Sequence, residues 1–183
     1  MIQEDFIEIC CHKQGTHTIQ TIFDNMTLPQ EEAFIRKALQ GNVFLLSKDD
    51  QGTHVIRKVL KCRSFAQDMQ AFIFEEIFEQ FNELCLNRNG LCVIKIIISM
   101  TKVQQDQHRV IQRIIKEVIQ LVSDPYGNYA VSEIVEKWDI EVCKPIFDAL
   151  ANKISELSIQ KYSSPVIETC LKAADEETRA FYI

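Results

Sequence analysis

A six-residue pattern returns five times along this chain at almost constant intervals. It reads Gly15-Thr16-His17-Thr18-Ile19-Gln20, Gly52-Thr53-His54-Val55-Ile56-Arg57, Gly90-Leu91-Cys92-Val93-Ile94-Lys95 and Gly127-Asn128-Tyr129-Ala130-Val131-Ser132. The last copy, Ser163-Ser164-Pro165-Val166-Ile167-Glu168, has serine in place of the glycine. The intervals are 37, 38, 37 and 36 residues. Self-similarity at such a period marks a helical-repeat array, because each copy is too small to bury its apolar face alone and must stack on its neighbours. The expected fold is all-α: a right-handed α-solenoid of stacked helical repeats of 36–38 residues, with residues 1–183 forming a single array.

The spacing inside each copy supports helices. Val55, Ile56, Val59 and Leu60 recur at i, i+1, i+4 and i+5, and Val93, Ile94, Ile97 and Ile98 repeat that arrangement. One apolar stripe of this kind belongs to an amphipathic α-helix, the second helix of each copy. A first helix is expected over residues 33–39, 72–78, 110–115 and 145–150. Pro145 is read as a first-turn proline, where its missing N–H does no harm. Shorter apolar stretches such as residues 43–46 lead to a polar turn, as in Asp49-Asp50-Gln51-Gly52 and Asp124-Pro125-Tyr126-Gly127, that opens the second helix. No segment alternates with period two for long enough to make a strand. Residues 176–183 read as the start of a further first helix and residues 1–11 as the tail of a unit, so the array is expected to be truncated at both ends.

The net charge of −6 argues mildly against a nucleic-acid binder, although a local basic stripe can override the global sign. The seven cysteines form no C-x-x-C pair and no zinc spacing with the four histidines, so they read as reduced core thiols. Neither a metal nor a cofactor is expected. The acidic, polar N-terminus is unlike a signal peptide, and the longest apolar stretch, around Ile96, Ile97 and Ile98, is far short of a membrane span. The chain is expected to be a monomer that does not associate with membranes, in the cytoplasm, with nucleus or nucleolus as the other compartments. His12, His17, His54 and His108 suggest no triad, and no glycine-rich phosphate loop is present, so no enzyme is expected.

With the glycine counted as zero, its first and fifth followers stand one above the other on one helix face and the second lies beside them. The third and fourth face the core. Each copy therefore offers a three-residue cluster: Thr16/His17/Gln20, Thr53/His54/Arg57, Leu91/Cys92/Lys95, Asn128/Tyr129/Ser132 and Ser164/Pro165/Glu168.

These residues carry a family resemblance. Gly127-Asn128-Tyr129-Ala130-Val131 resembles the "GNYVV" of Pumilio-type (PUF) RNA-binding repeats, and Tyr162-Ser163-Ser164-Pro165-Val166-Ile167-Glu168 resembles their "FSSNVVE". Gly15-Thr16-His17-Thr18-Ile19-Gln20 is similar to "GTRTVQ", and Arg88-Asn89-Gly90-Leu91-Cys92-Val93-Ile94 to "RHGCCVL". In that family each repeat reads one base of single-stranded RNA with two or three side chains. The resemblance implies that Thr16, Gln20, Thr53, Arg57, Lys95, Asn128, Ser132, Ser164 and Glu168 face base edges on the concave face. His17, His54, Cys92, Tyr129 and Pro165 would stack between bases. It further implies antiparallel binding, with Ser164/Glu168 as a guanine pair, Asn128 as half of a uracil pair and Thr53/Arg57 as a cytosine-type pair. Thr16/Gln20 leans to adenine and Leu91/Lys95 matches no usual pair, giving 5′-G-U-N-C-A-3′.

Function would then be post-transcriptional regulation of messenger RNA through 3′ untranslated regions, with the convex face left for protein partners. Phosphates would be met by Arg57, Lys58, Lys61, Arg63, Arg88 and Lys95. The rival expectation is a HEAT- or armadillo-like protein-interaction scaffold that has lost RNA specificity. The acidic charge and the departures at Leu91, Cys92, Ser132 and Pro165 favour it, whereas the polar first and fifth followers do not.

Overall fold

The computed structural model describes residues 2–62, 65, 67–176 and 179. Among them every regular element is helical, in two compact units, Met1–Gln80 and Phe81–Ile183. The first unit holds α1 (Ile2–Cys11), α2 (Gly15–Asn25), α3 (Pro29–Leu39), α4 (Val43–Lys48), α5 (Gly52–Lys61) and α6 (Gln67–Phe78). The second holds α7 (Phe81–Cys85), α8 (Arg88–Met100), α9 (Gln104–Ile114), α10 (Val118–Ser123), α11 (Gly127–Lys137), α12 (Ile140–Ala151), α13 (Ile154–Leu157) and α14 (Ser164–Ala173), with a 3-10 turn at Ile115–Glu117.

The second to fifth copies thus have three helices each, long, short and long, where two were expected, and the first has α1 and α2. The short apolar stretches are the helices α4, α7, α10 and α13. Buried Val118, Leu121 and Val122 show why: they fall at i, i+3 and i+4, one helical face, but over too few residues to display a period. Second helices stack side by side within each unit, α2 against α5 in the first and α8, α11 and α14 in succession in the second. Ile19, Phe23, Ile56 and Val59 fill the first interface, and Ile94, Val131, Ile134, Ile167 and Cys170 the others, all buried. The Trp138 indole, also buried, donates to the Ile98 carbonyl at 3.2 Å.

Pro145 does not open its helix. α12 begins at Ile140, and the proline lies inside it. The buried stripe Val142, Cys143, Ile146, Phe147 and Leu150 runs across the proline, so apolar burial holds the helix together despite one lost backbone hydrogen bond.

The polar turns are capping devices. The Asp124 carboxylate accepts the N–H groups of Tyr126 and Gly127, both at 2.8 Å, and Asp49 and Asn87 do the same for Gln51/Gly52 and Asn89/Gly90. Each satisfies two orphan donors of a helix N-terminus. In the first copy His12 stands there, its Nδ1 accepting from Gln14 and Gly15 at 3.2 and 3.3 Å.

The glycine three residues on has a steric reason. A Cβ on Gly90 or Gly127 would lie 2.6 Å from the carbonyl oxygen of the residue six earlier, Leu84 or Leu121. The short helix therefore abuts the second helix backbone to backbone. Ser163 carries a Cβ at this place, and its Oγ donates to the carbonyl of Leu157, again six residues earlier.

Cys10, Cys85, Cys143 and Cys170 are buried, and Cys11 and Cys62 half-buried; Cys92 is exposed. Burial pushes the thiols of Cys10, Cys143 and Cys170 up to about 12 and that of Cys85 upward as well. No described helix is long and apolar enough to cross a membrane, and the described residues form no metal-competent cluster.

Candidate nucleic-acid interface

The three follower positions differ in exposure in a regular way. The first followers turn toward the neighbouring second helix: Thr16, Thr53, Asn128 and Leu91 are 1%, 3%, 5% and 8% exposed, and Ser164 is half-buried. The second followers His17, His54, Cys92, Tyr129 and Pro165 are exposed. The fifth followers Gln20, Arg57, Lys95 and Ser132 are half-buried, and Glu168 is exposed. Within each unit the seam between successive second helices therefore has mostly polar side chains along its floor, Leu91 being the apolar exception, and mostly flat ones along its rim.

Local bonds fix the floor. Thr16 Oγ1 donates to the Gln51 carbonyl of the next copy at 3.1 Å, and Gln20 Nε2 reaches the Thr16 carbonyl at 3.3 Å. The Asn128 amide donates to the Asp124 carbonyl at 2.7 Å, which leaves its oxygen side turned away from that bond. Arg57 differs: its Nε is buried and has no hydrogen-bond acceptor among the described residues.

Charge is distributed less simply than the sequence suggests. Lys58 pairs with Asp24 across α2 and α5. Lys95 Nζ lies 2.9 Å from one Glu133 oxygen, Lys137 Nζ 2.8 Å from the other, and Lys137 also donates to Ser99 Oγ at 2.7 Å. Lys95 Nζ also lies over the Tyr129 ring, 5.9 Å from its centre. Burial alone would raise the Glu133 carboxyl, but hydrogen bonds from Lys137 and Lys95, with their charges, hold it below the usual carboxylate range. Of the expected phosphate-binding cations, Lys58 and Lys95 are thus in ion pairs and Lys61 and Arg88 are exposed, while Arg63 lies outside the described residues. Glu168 has only a loose 3.9 Å pairing with Lys172 one turn on.

The sequence reading missed Glu133. Its signal is visible only when copies are compared in pairs: an acid at the sixth follower of one copy faces a lysine at the fifth follower of the copy before.

Comparison with known proteins identifies the family and the fold. The profile of the Pumilio-family RNA binding repeat matches residues 5–37, 42–78, 117–151 and 153–183; the unmatched residues 79–116 hold α7 and α8, with the third copy's cluster, and also α9. Pumilio homolog 12 of Arabidopsis thaliana is 32% identical over 174 residues, covering 95% of this chain and 29% of that protein. A Pumilio domain-containing protein of Schizosaccharomyces pombe is 32% identical over 171 residues, 93% of this chain and 25% of that one. The chain thus spans less than a third of these curated relatives. Among solved structures, a Puf4 mutant bound to a Cox17 RNA 3′ UTR recognition sequence aligns with 100% of this chain and 62% of its own, with a TM-score of 0.86 at 27% identity. The RNA-binding domain of yeast Puf5p bound to SMX2 RNA shares the fold, with a TM-score of 0.84 at 17% identity over 97% of this chain and 51% of its own.

Proposed function

Because the chain belongs to the Pumilio family of RNA-binding repeats, we propose that it binds single-stranded RNA sequence-selectively, one base per copy. The carrying observation is the seam: hydrogen-bonding side chains on its floor and flat side chains at its rim, recurring every 36–38 residues. A floor of this kind offers donors and acceptors to a base edge, and a rim histidine or tyrosine offers a stacking surface. The Puf4 and Puf5p structures are named for bound RNA, and the Puf4 ligand is a 3′ UTR sequence. This supports post-transcriptional regulation of messenger RNA as the role.

The base assignments are those the family resemblance implies, read beside the chemistry of each pair. Glu168, exposed beside Ser164, accepts from the N–H groups of guanine. Arg57 only donates, and the cytosine edge offers acceptors. Thr16/Gln20 takes adenine, with the two side chains already bonded to each other at 3.4 Å. Asn128 with the short Ser132 takes uracil.

Fluorescence anisotropy with a randomised short RNA pool, at two salt concentrations and with sequencing of the bound fraction, tests the proposal. An enriched motif with guanine toward its 5′ end is expected. Binding without an enriched sequence that vanishes at moderate salt would reduce the activity to phosphate attraction. No binding at all would leave a protein-interaction scaffold.

A further inference from the structure

We propose that the third copy admits any base, and that Glu133, from the fourth copy, is the positioning residue that makes it so. The inference rests on the base-reading proposal above and concerns the second unit only.

The third copy has one side chain on its base-facing positions able to hydrogen-bond a nucleobase strongly, Lys95. Leu91 fills the floor with an apolar group, 8% exposed, and the Cys92 thiol is a weak donor that reaches the Arg88 carbonyl of its own helix at 3.6 Å. Lys95 is not disengaged. Glu133 receives it at 2.9 Å, and the Tyr129 ring lies beneath its ammonium. Glu133 is itself anchored on its other oxygen by Lys137, which Ser99 of the third copy holds in turn. The result is a closed chain, Lys95–Glu133–Lys137–Ser99, between α8 and α11. Lys95 keeps two further N–H groups on a side chain that is 42% exposed, but to carry its ammonium onto a base edge it would have to leave a carboxylate that is only 14% exposed. That would leave a half-desolvated anion with Lys137 as its remaining partner, which opposes the move.

A base at this place would thus meet a leucine, a thiol and a neutralised lysine, none of which tells one base from another. Other copies differ in this respect. Gln20 is bonded only to Thr16 in its own floor, and Glu168 has only the loose lysine pairing. Of the five clusters, the family profile passes over the third copy's alone, as expected of a copy whose base-facing residues have departed from the family pattern.

Glu133→Gln tests the idea. Glutamine keeps the size and one acceptor but no charge, so Lys95 is released toward the seam. The full chain and the variant are each used to select from an RNA pool with five consecutive randomised nucleotides, and preference is read position by position. For the unmodified chain, the position next to the one read by the fourth copy should vary less than about twofold among the four bases. In Glu133→Gln that position should gain a preference of at least about fivefold for bases presenting acceptor oxygens, with the neighbouring positions unchanged. Adding Lys95→Ala should abolish the gain, which a merely structural role for Glu133 would not produce. A strong preference at this position in the unmodified chain, or an unchanged profile in Glu133→Gln, overturns the inference while leaving the base-reading proposal intact. A flat profile at every position overturns the base-reading proposal, and the inference with it.

Discussion

Ser163 Oγ donates a 2.7 Å hydrogen bond to the carbonyl of Leu157, and both residues are fully buried. The same carbonyl position, six residues back, crowds Gly15, Gly52, Gly90 and Gly127 in the other copies. One steric problem has two solutions: no side chain, or a side chain that bonds the obstacle. Ser163→Ala removes the bond and leaves the Leu157 carbonyl with only the longer 3.4 Å bond from the Gln160 N–H, at a cost of about 1 kcal/mol. Gly127→Ala puts a methyl 2.6 Å from the Leu121 oxygen and forces backbone movement, costing about 1–3 kcal/mol. Urea unfolding followed by circular dichroism checks both; a Gly127→Ala chain as stable as the parent would refute the close-contact argument.

Glu133 links stability to pH. Its carboxyl titrates below the ordinary carboxylate range when folded, so its contribution is complete above that range. The contribution is lost as pH falls through the lowered value. Glu133→Gln should therefore be less stable than the parent by about 1 kcal/mol at pH 7, a figure reduced by partial solvent screening. The difference should shrink as pH falls toward 3. Melting temperatures from pH 7 to pH 3 measure this, and a constant gap would contradict it.

The rim is expected to contribute stacking. Tyr129 is 54% exposed, and Tyr129→Ala leaves the buried core untouched. The substitution should weaken RNA binding by roughly 1–3 kcal/mol with no change in base preference. Glu168→Gln should do the reverse, relaxing the guanine preference with little loss for other bases. Titration of each variant with RNAs differing at single positions separates the two effects.

His12 is the weakest of the N-terminal caps. An imidazole nitrogen at 3.2 and 3.3 Å stands where carboxylates accept the same pair of N–H groups at 2.7–2.9 Å. His12→Asp should stabilise the first copy by about 0.5–1 kcal/mol, and Asp124→Ala should destabilise the fourth by about 1 kcal/mol. Amide hydrogen exchange in α2 and α11 reports each change locally.

The period, the helical class and the buried stripes were legible in the sequence because a four-residue apolar recurrence survives in every copy. The short middle helix was not, since four to six residues display less than two turns. Pro145 misled because proline favours a first turn, whereas here an apolar stripe on both sides of it outweighs that preference. The inward turn of Thr16 and Asn128 depends on how closely neighbouring second helices approach, which spacing along one helix does not reveal. The Lys95–Glu133 pair was hidden for a related reason: its two members lie 38 residues apart and belong to different copies.

The backbone contact at the glycine position also governs dimensional tolerance. In four copies the second helix rests on a carbonyl oxygen with no side chain between, and in the fifth a single hydroxyl serves as a shim. A joint made of main-chain atoms varies little with sequence, so the substitutions that distinguish one cluster from the next leave the mounting of their helix unaltered. Small misfits therefore do not accumulate from copy to copy within a unit, as they would if each copy were seated on side chains of changing bulk. What each position recognises is free to drift while its mounting stays fixed.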